Sequence, residues 1–110
     1  MAQGSALQRL SGWGRHPVEL CRVFRPEKRS DLAALLCSGA LSHYIARGLG
    51  RSYGDAALNA AGGVISFARL NRFLSFDSES GVLECEAGVS LSEILDFCLP
   101  RGLVPAVVPG

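Results

Sequence analysis

The stretch Arg47-Gly48-Leu49-Gly50-Arg51-Ser52-Tyr53-Gly54-Asp55 combines three glycines with two arginines. Glycine removes side chains from a concave backbone surface and permits positive φ, so successive backbone N–H groups can converge on an anion. Arg47 and Arg51 add fixed charges that donate paired hydrogen bonds to phosphate, and Ser52 adds a hydroxyl donor. The stretch therefore predicts a loop that holds a diphosphate without a metal ion. The alternative is a tight surface loop whose two arginines are solvated.

The spacing of the glycines excludes two common nucleotide-binding motifs. A P-loop requires G-x-x-x-x-G-K-[ST], and no lysine follows a glycine in this sequence. The dinucleotide fingerprint G-x-G-x-x-G requires glycine at the position of Tyr53, but the third glycine comes one residue later, at Gly54. Gly62 and Gly63 follow soon after, which leaves no room for the long helix of a Rossmann unit.

Length and composition limit the class of protein. The 110 residues are enough for one small domain and exclude an enzyme with a complete cofactor domain and a separate substrate domain. Hydrophobic residues make up 48% and charged residues 19%, which argues against disorder. The net charge of +1 lacks the basic excess of a nucleic-acid-binding protein.

The four cysteines, Cys21, Cys37, Cys85 and Cys98, form no C-x-x-C pair and have no histidine at ligand spacing. We therefore expect no metal site, and we expect buried thiols in a reducing compartment. The N-terminus has no apolar core of a signal peptide, and no apolar run is long enough for a membrane span. The expected location is cytoplasmic, and peripheral membrane association of a longer protein remains open.

The pattern of elements predicts an α+β fold in the order β-α-β-loop-β-β-β-α-β, because strands and helices do not alternate strictly. Residues 1–17 are expected to form an N-terminal arm, and residues 18–110 the domain itself. The predicted strands cover residues 18–25, 41–47, 64–67, 73–76, 82–87 and 103–108, and the predicted helices cover residues 27–38 and 90–100.

The second helix has the clearest local signals. Ser90 or Ser92 is the expected N-cap, and Glu93 lies three residues after Ser90, which is the spacing of a capping box. Pro100 and Gly102 are expected to end the helix. The last predicted strand runs directly into the end of the chain, which suggests part of a longer protein.

Residues 46–59 resemble the diphosphate-binding loop of FAD-linked oxidases of the vanillyl-alcohol oxidase / p-cresol methylhydroxylase (PCMH-type) superfamily. The strongest likeness is to the branch of decaprenylphosphoryl-ribose oxidases and sugar-lactone or alditol oxidases. Further segments agree with that family in order and spacing, namely residues 10–15, 24–26, 86–89 and 102–110. The resemblance covers the chain from residue 10 onward and implies the N-terminal part of a PCMH-type FAD-binding domain.

The resemblance implies FAD as the cofactor. The implied cofactor-binding residues are Ala46, Arg47, Gly48, Leu49, Gly50, Arg51, Ser52, Tyr53, Gly54 and Asp55 in the loop, with Pro109 and Gly110 in a second turn. Many members of the family bond the flavin covalently through a histidine directly after G-x-G, where this sequence has Arg51. Arginine cannot form that bond, so the implied binding is non-covalent.

Other side chains near the loop have competing roles. His16 and His43 are expected to be structural or solvent-exposed rather than flavin anchors. Tyr53 either packs on the cofactor or plugs the loop. Asp55 is expected to cap the backbone after the turn in preference to orienting an arginine. Trp13 is expected to pack the arm onto the domain in preference to stacking on flavin.

No residue of the chain is a credible catalytic acid, base or nucleophile. In the enzymes that it resembles, a hydride passes from an alcohol carbon to flavin N5, and a separate substrate domain orients the substrate. We therefore expect the FAD-binding segment of an oxidoreductase whose partners are FAD and, through an absent domain, a sugar-like or polyol alcohol. The alternatives are an inactive fragment and a non-enzymatic nucleotide- or phosphate-binding module.

Overall fold

The computed structural model describes residues 4–106, and the chain divides into two compact units between Leu70 and Asn71. The first unit contains a four-stranded sheet and one helix, and the second contains a hairpin and one helix. Within residues 4–106, no helix is both long and apolar enough to span a membrane.

The sheet of the first unit mixes antiparallel and parallel pairs. Its strands are β1 (Ser5–Ser11), β2 (Val18–Phe24), β3 (Tyr44–Arg47) and β4 (Gly63–Ser66), in the spatial order β1-β2-β4-β3. β1 runs antiparallel to β2, whereas β4 runs parallel to both β2 and β3. Parallel pairing aligns the carboxyl ends of β3 and β4, so that Arg47 lies opposite Ser66.

The core of the first unit lies on both faces of this sheet, because neighbouring residues of a strand point to opposite sides. The buried clusters are Cys21, Val23 and Val64 on one face, and Phe24, Leu35 and Ile65 on the other. Leu35 comes from helix α1 (Arg29–Cys37), which packs on the second face. Burial on two sides explains why β4 is a continuous apolar run rather than an alternating one.

The second unit is built around one aromatic side chain. Strands β5 (Phe73–Asp77) and β6 (Val82–Cys85) pair antiparallel, and helix α2 (Leu91–Cys98) leads into a 3-10 turn at Leu99–Arg101. Phe97 of α2 packs on Phe73 and Phe76, with ring centroids 5.2 Å and 5.0 Å apart. Hydrophobic contacts of this kind hold the helix against the hairpin.

The α+β class is confirmed, and both predicted helices and the first five predicted strands have counterparts in the structure. The capping box is also confirmed: the Ser90 side chain accepts a hydrogen bond from the Glu93 amide, and the Glu93 carboxylate accepts one from the Ser90 amide. Ser92, the other candidate, lies inside the helix.

The segment predicted as an arm contains a strand. Ser5–Ser11 forms β1 and pairs along its whole length with β2. Most of its side chains are exposed, so the strand depends on main-chain hydrogen bonds to β2 rather than on an apolar pattern that the sequence would display. The observed order of elements therefore begins β-β-α in place of β-α.

The last predicted strand, over residues 103–108, is wrong for its described part, because residues 103–106 are not in a strand. Gly102 has a φ of 74° and ends the preceding turn, with the Gly102 amide donating to the Leu99 carbonyl and the Leu103 amide to the Cys98 carbonyl. This pattern is a helix C-terminal motif, and it engages the amide of the first residue of the predicted strand. Residues 107 and 108 lie outside the described residues.

The expectation of four buried thiols holds for Cys21 and Cys98 only. Cys85 is half-buried, and Cys37 is exposed because it is the last residue of α1 and faces away from Leu35. No disulfide links them.

Candidate cofactor-binding loop

The predicted diphosphate loop leaves the sheet where β3 ends. We call residues 48–55 the glycine loop; it follows Arg47 directly, and the chain returns to the sheet at Gly63. Because β3 and β4 are parallel, the loop stands at the carboxyl ends of the strands. In sheets with parallel strands that edge is the usual place for a ligand.

Two glycines give the loop its shape. Gly50 has a φ of 72° and Gly54 a φ of 60°, which are left-handed values that side chains disfavour. Turns then close the second half of the loop, where the Ala56 amide donates to the Tyr53 carbonyl at 3.5 Å and the Leu58 amide to the Asp55 carbonyl at 3.0 Å.

Gly48 differs from these two. Its φ is not left-handed, and a Cβ built on it would meet no atom within 4 Å. The fold of the described residues therefore does not itself require glycine at this position. A bare backbone over open space is what a ligand that approaches the main chain needs.

The side chains of the loop are exposed. Arg51 and Ser52 face solvent, and Leu49 and Tyr53 keep 64% and 79% of their surface accessible. Ala46, at the end of β3, is exposed as well. Tyr53 therefore does not plug the loop, and that one of its two predicted roles is wrong.

Arg47 is the exception, because its guanidinium is used inside the protein. Its Nη2 donates to the Ser11 carbonyl at 2.7 Å, and its Nη1 donates to the Ala57 carbonyl at 3.3 Å. The side chain is half-buried. The two arginines that flank the predicted site thus have different environments, with Arg51 open to solvent and Arg47 bound to the main chain.

The end of β1 is docked onto the loop. The Trp13 amide donates to the Ser52 carbonyl at 2.9 Å, and the Trp13 ring meets the edge of the Tyr53 ring with centroids 5.7 Å apart. Gly12 is buried at this contact, and a Cβ on it would lie 2.5 Å from the Ser52 oxygen and 2.8 Å from the Gly54 oxygen. The Trp13 amide and ring edge therefore join the N-terminal segment to the glycine loop, while the Trp13 side chain keeps 67% of its surface exposed.

Asn59 fixes the return of the chain to the sheet. Its side-chain nitrogen donates to the Gly63 carbonyl at 3.1 Å and to the His43 carbonyl at 3.4 Å. Nothing in the local sequence marks Ser11, Gly12 or Asn59 as partners of the loop. The only hint is that Gly12 lies beside Trp13, within residues 10–15, which resemble the FAD-linked oxidases.

Both histidines are exposed, as expected. His16 is exposed, and His43 is exposed with its Nδ1 2.9 Å from the Ser42 hydroxyl. Within residues 4–106 the Asp55 carboxylate receives no hydrogen bond, and the Asp55 main-chain carbonyl closes the turn instead. The predicted cap by the Asp55 side chain is therefore wrong. Pro109 and Gly110 lie outside the described residues.

Two comparisons with known proteins identify the family of this chain. Residues 21–110 match the family described as FAD binding domain. The chain is also 40% identical, over 106 residues, to decaprenylphosphoryl-beta-D-ribose oxidase of Mycolicibacterium smegmatis; the match covers 94% of this chain and 23% of that protein.

The fold and the matches define a flavin-binding domain of α+β class. Within that class the chain belongs to the FAD binding domain family and, in it, to the PCMH-type FAD-linked oxidases. The chain spans about a quarter of the length of the oxidase that it matches, at 23%.

Proposed function

We propose that the glycine loop holds the diphosphate of FAD, without a covalent bond, in a protein that oxidises a sugar-like or polyol alcohol. The proposed contacts are Ala46, the main chain of Arg47 and residues 48–55, with Pro109 and Gly110 included on family resemblance alone. The observation that carries the proposal is the bare, open backbone at Gly48 beside the exposed Arg51.

The residues of the loop fit a diphosphate. Backbone N–H groups and the Ser52 hydroxyl supply neutral donors, and Arg51 supplies a permanent charge with a planar pair of donors. Within residues 4–106 no group of three or more His, Cys, Asp or Glu side chains is placed to hold a metal ion. Amides and a guanidinium can neutralise a diphosphate without one.

The side chain after Gly50 supports non-covalent binding. A guanidinium is a poor nucleophile because it stays protonated, so Arg51 can pair with phosphate but cannot be alkylated by a flavin as an imidazole can. We expect denaturation to release all of the flavin into the supernatant. Flavin absorbance that stays with the precipitated protein would contradict this part of the proposal.

The chain contributes binding and orientation rather than proton transfer. FAD, when bound, supplies the hydride acceptor for oxidation of an alcohol carbon. The substrate class rests on the ribose oxidase relative, whose name identifies a sugar derivative. The observed loop supports only the cofactor half of this function.

The affinities of an Arg51→Met variant for three ligands test the proposed binding of FAD. We expect the variant to bind FAD and ADP more weakly by roughly 1.5–3 kcal/mol, the range for hydrogen bonds to charged groups, because both ligands carry a diphosphate. Riboflavin carries no phosphate, so its affinity is expected to stay the same. Calorimetric titration of the three ligands measures the difference.

Arg29→Met is the matched control, since Arg29 is exposed in the same unit and the substitution removes the same charge. Equal losses in the two variants would mean that the overall charge, and not the loop, determines affinity. Such a result would overturn the assignment of Arg51.

A further inference from the structure

Arg47 connects three parts of the chain that are far apart in sequence. Its guanidinium, at the carboxyl end of β3, binds the carbonyl of Ser11 at the end of β1 and the carbonyl of Ala57 after the glycine loop. The end of β1 and the chain just after the glycine loop are thus tied to one rigid, planar group. A guanidinium presents its donors in a fixed fork, so two bound carbonyls are held in a fixed relation.

The loop itself turns over this group. A Cβ on Gly50 would lie 2.7 Å from the guanidinium carbon of Arg47, whereas a Cβ on Gly48 or Gly54 would meet nothing within 4 Å. Gly50 is therefore the point where the loop backbone passes directly against the guanidinium. Its left-handed φ and its missing side chain are both required there.

The charge of Arg47 is not used in an ion pair within the described part of the chain. The ion pairs found in residues 4–106 are Arg69 with Glu27 and Arg72 with Glu86. The partners of Arg47 are main-chain oxygens, which the guanidinium binds through charge-assisted hydrogen bonds. The Arg47 guanidinium therefore holds main-chain segments next to the glycine loop.

We propose that Arg47 is a positioning residue: it forms the glycine loop before the ligand arrives, and its guanidinium does not contact the diphosphate. The inference rests on the proposed function, because it concerns the same loop. Prior ordering of the loop lowers the entropy cost of binding, so Arg47 contributes to affinity through the backbone. Arg51, in contrast, acts on the ligand directly.

Amide exchange in the ligand-free protein separates the two arginines. The reporters are the Trp13 amide, bound to the Ser52 carbonyl, and the Leu58 amide, bound to the Asp55 carbonyl. We expect Arg47→Met to raise their exchange rates roughly 10- to 100-fold, because charge-assisted hydrogen bonds are lost. Arg51→Met is expected to leave both rates unchanged. Unchanged rates in Arg47→Met would overturn the proposal.

The conservative variant Arg47→Lys distinguishes geometry from charge. Lysine keeps the charge but cannot span two carbonyls with one planar fork. We expect fast exchange and weakened FAD binding, as in Arg47→Met. Retention of both slow exchange and wild-type FAD affinity in Arg47→Lys would show that only the charge matters, and would overturn the proposal.

Two glycine variants test the contact between the loop backbone and the Arg47 guanidinium. They test the proposal even if Arg47→Met does not fold. Gly50→Ala and Gly54→Ala both place a side chain at left-handed φ, but only the first displaces the guanidinium. Faster exchange at Leu58 in Gly50→Ala than in Gly54→Ala supports the proposal, and equal exchange overturns it. Wild-type protein that keeps slow loop exchange but binds no FAD would refute the proposed function alone.

Discussion

Gly12 and Gly50 are required by the fold for two different physical reasons, whereas the fold does not require Gly48. Gly12 allows two chain segments to touch, Gly50 allows the backbone to pass over Arg47, and Gly48 stands in open space. Sequence spacing predicts that glycines in such a loop matter, but it does not separate these reasons. The separation depends on which atoms lie nearby, and those come from parts of the chain far away in sequence.

Substitution Gly12→Ala tests the contact between the end of β1 and the loop. The new Cβ would lie 2.5 Å from the Ser52 oxygen, which is too close for any carbon, so one segment must move. We expect the free energy of unfolding to fall by roughly 1–3 kcal/mol, as in other overpacked sites. Urea denaturation measures the change.

Gly14→Ala is the control for Gly12→Ala, because a Cβ on Gly14 would meet no atom within 4 Å and its φ is not left-handed. We expect Gly14→Ala to lower the free energy of unfolding only slightly. Similar losses of stability in the two variants would show that the close contact at Gly12 is not real.

Asp77 gives a pH-dependent signal in the hairpin turn. The amide of Glu79 donates to its carboxylate at 2.9 Å, and this bond, with further bonds from Ser80, holds the pKa of Asp77 below its usual value of 3.8. Because the folded pKa is lowered, the stabilisation is present above the unfolded pKa and is lost as the pH falls through the folded pKa.

We expect the amide chemical shift of Glu79 to titrate with a midpoint below pH 3.8, because the hydrogen bond weakens when Asp77 is protonated. The shift should be absent in Asp77→Asn, which has no proton to gain. A midpoint at or above 3.8 would mean that the turn does not hold the charged form.

At the scale of elements, the sequence predicts a helix or strand correctly where the residues that determine it are close together in the chain. The start of α2 was predictable because Ser90, Glu93 and the turn between them lie within four consecutive residues. β1 was not predictable in the same way, since its side chains are mostly exposed and its pairing partner, β2, lies later in the chain. The turn after α2 shows a third case, in which Gly102 ends a helix and the residues beyond it continue without a strand.

The capping box of α2 leads to a stability prediction. Ser90→Ala removes the acceptor of the Glu93 amide, and we expect it to lower the free energy of unfolding by about 1 kcal/mol. Ser92→Ala, on the exposed side of the same helix, is expected to have a smaller effect or to stabilise slightly. Thermal unfolding followed by circular dichroism compares the two, and equal effects would argue against the cap.

The position of the loop, by contrast, is an element-level result that the sequence predicted well. A strand followed by glycines and arginines led to a loop at the end of β3, and that loop is present. The role of Arg47 could not be predicted, because a side chain at a strand end reaches either outward or back over the sheet. The choice depends on the carbonyls of Ser11 and Ala57.

At the scale of the whole molecule, the proposed cofactor contacts that the structure describes all belong to the first unit. The family match over residues 21–110 establishes the FAD binding domain family, and the 40% identity to the mycobacterial oxidase agrees with it. The chain spans 23% of that relative's length, so oxidation of a specific alcohol is a property to be tested in a protein of that size.

The most direct test of the central claim is amide hydrogen exchange with and without FAD, followed residue by residue. We expect FAD to slow exchange in residues 48–55, because backbone N–H groups there bind the diphosphate, and to leave α1 (Arg29–Cys37) unchanged. Saturating FAD that protects other segments and leaves residues 48–55 exchanging at the ligand-free rate would contradict the account.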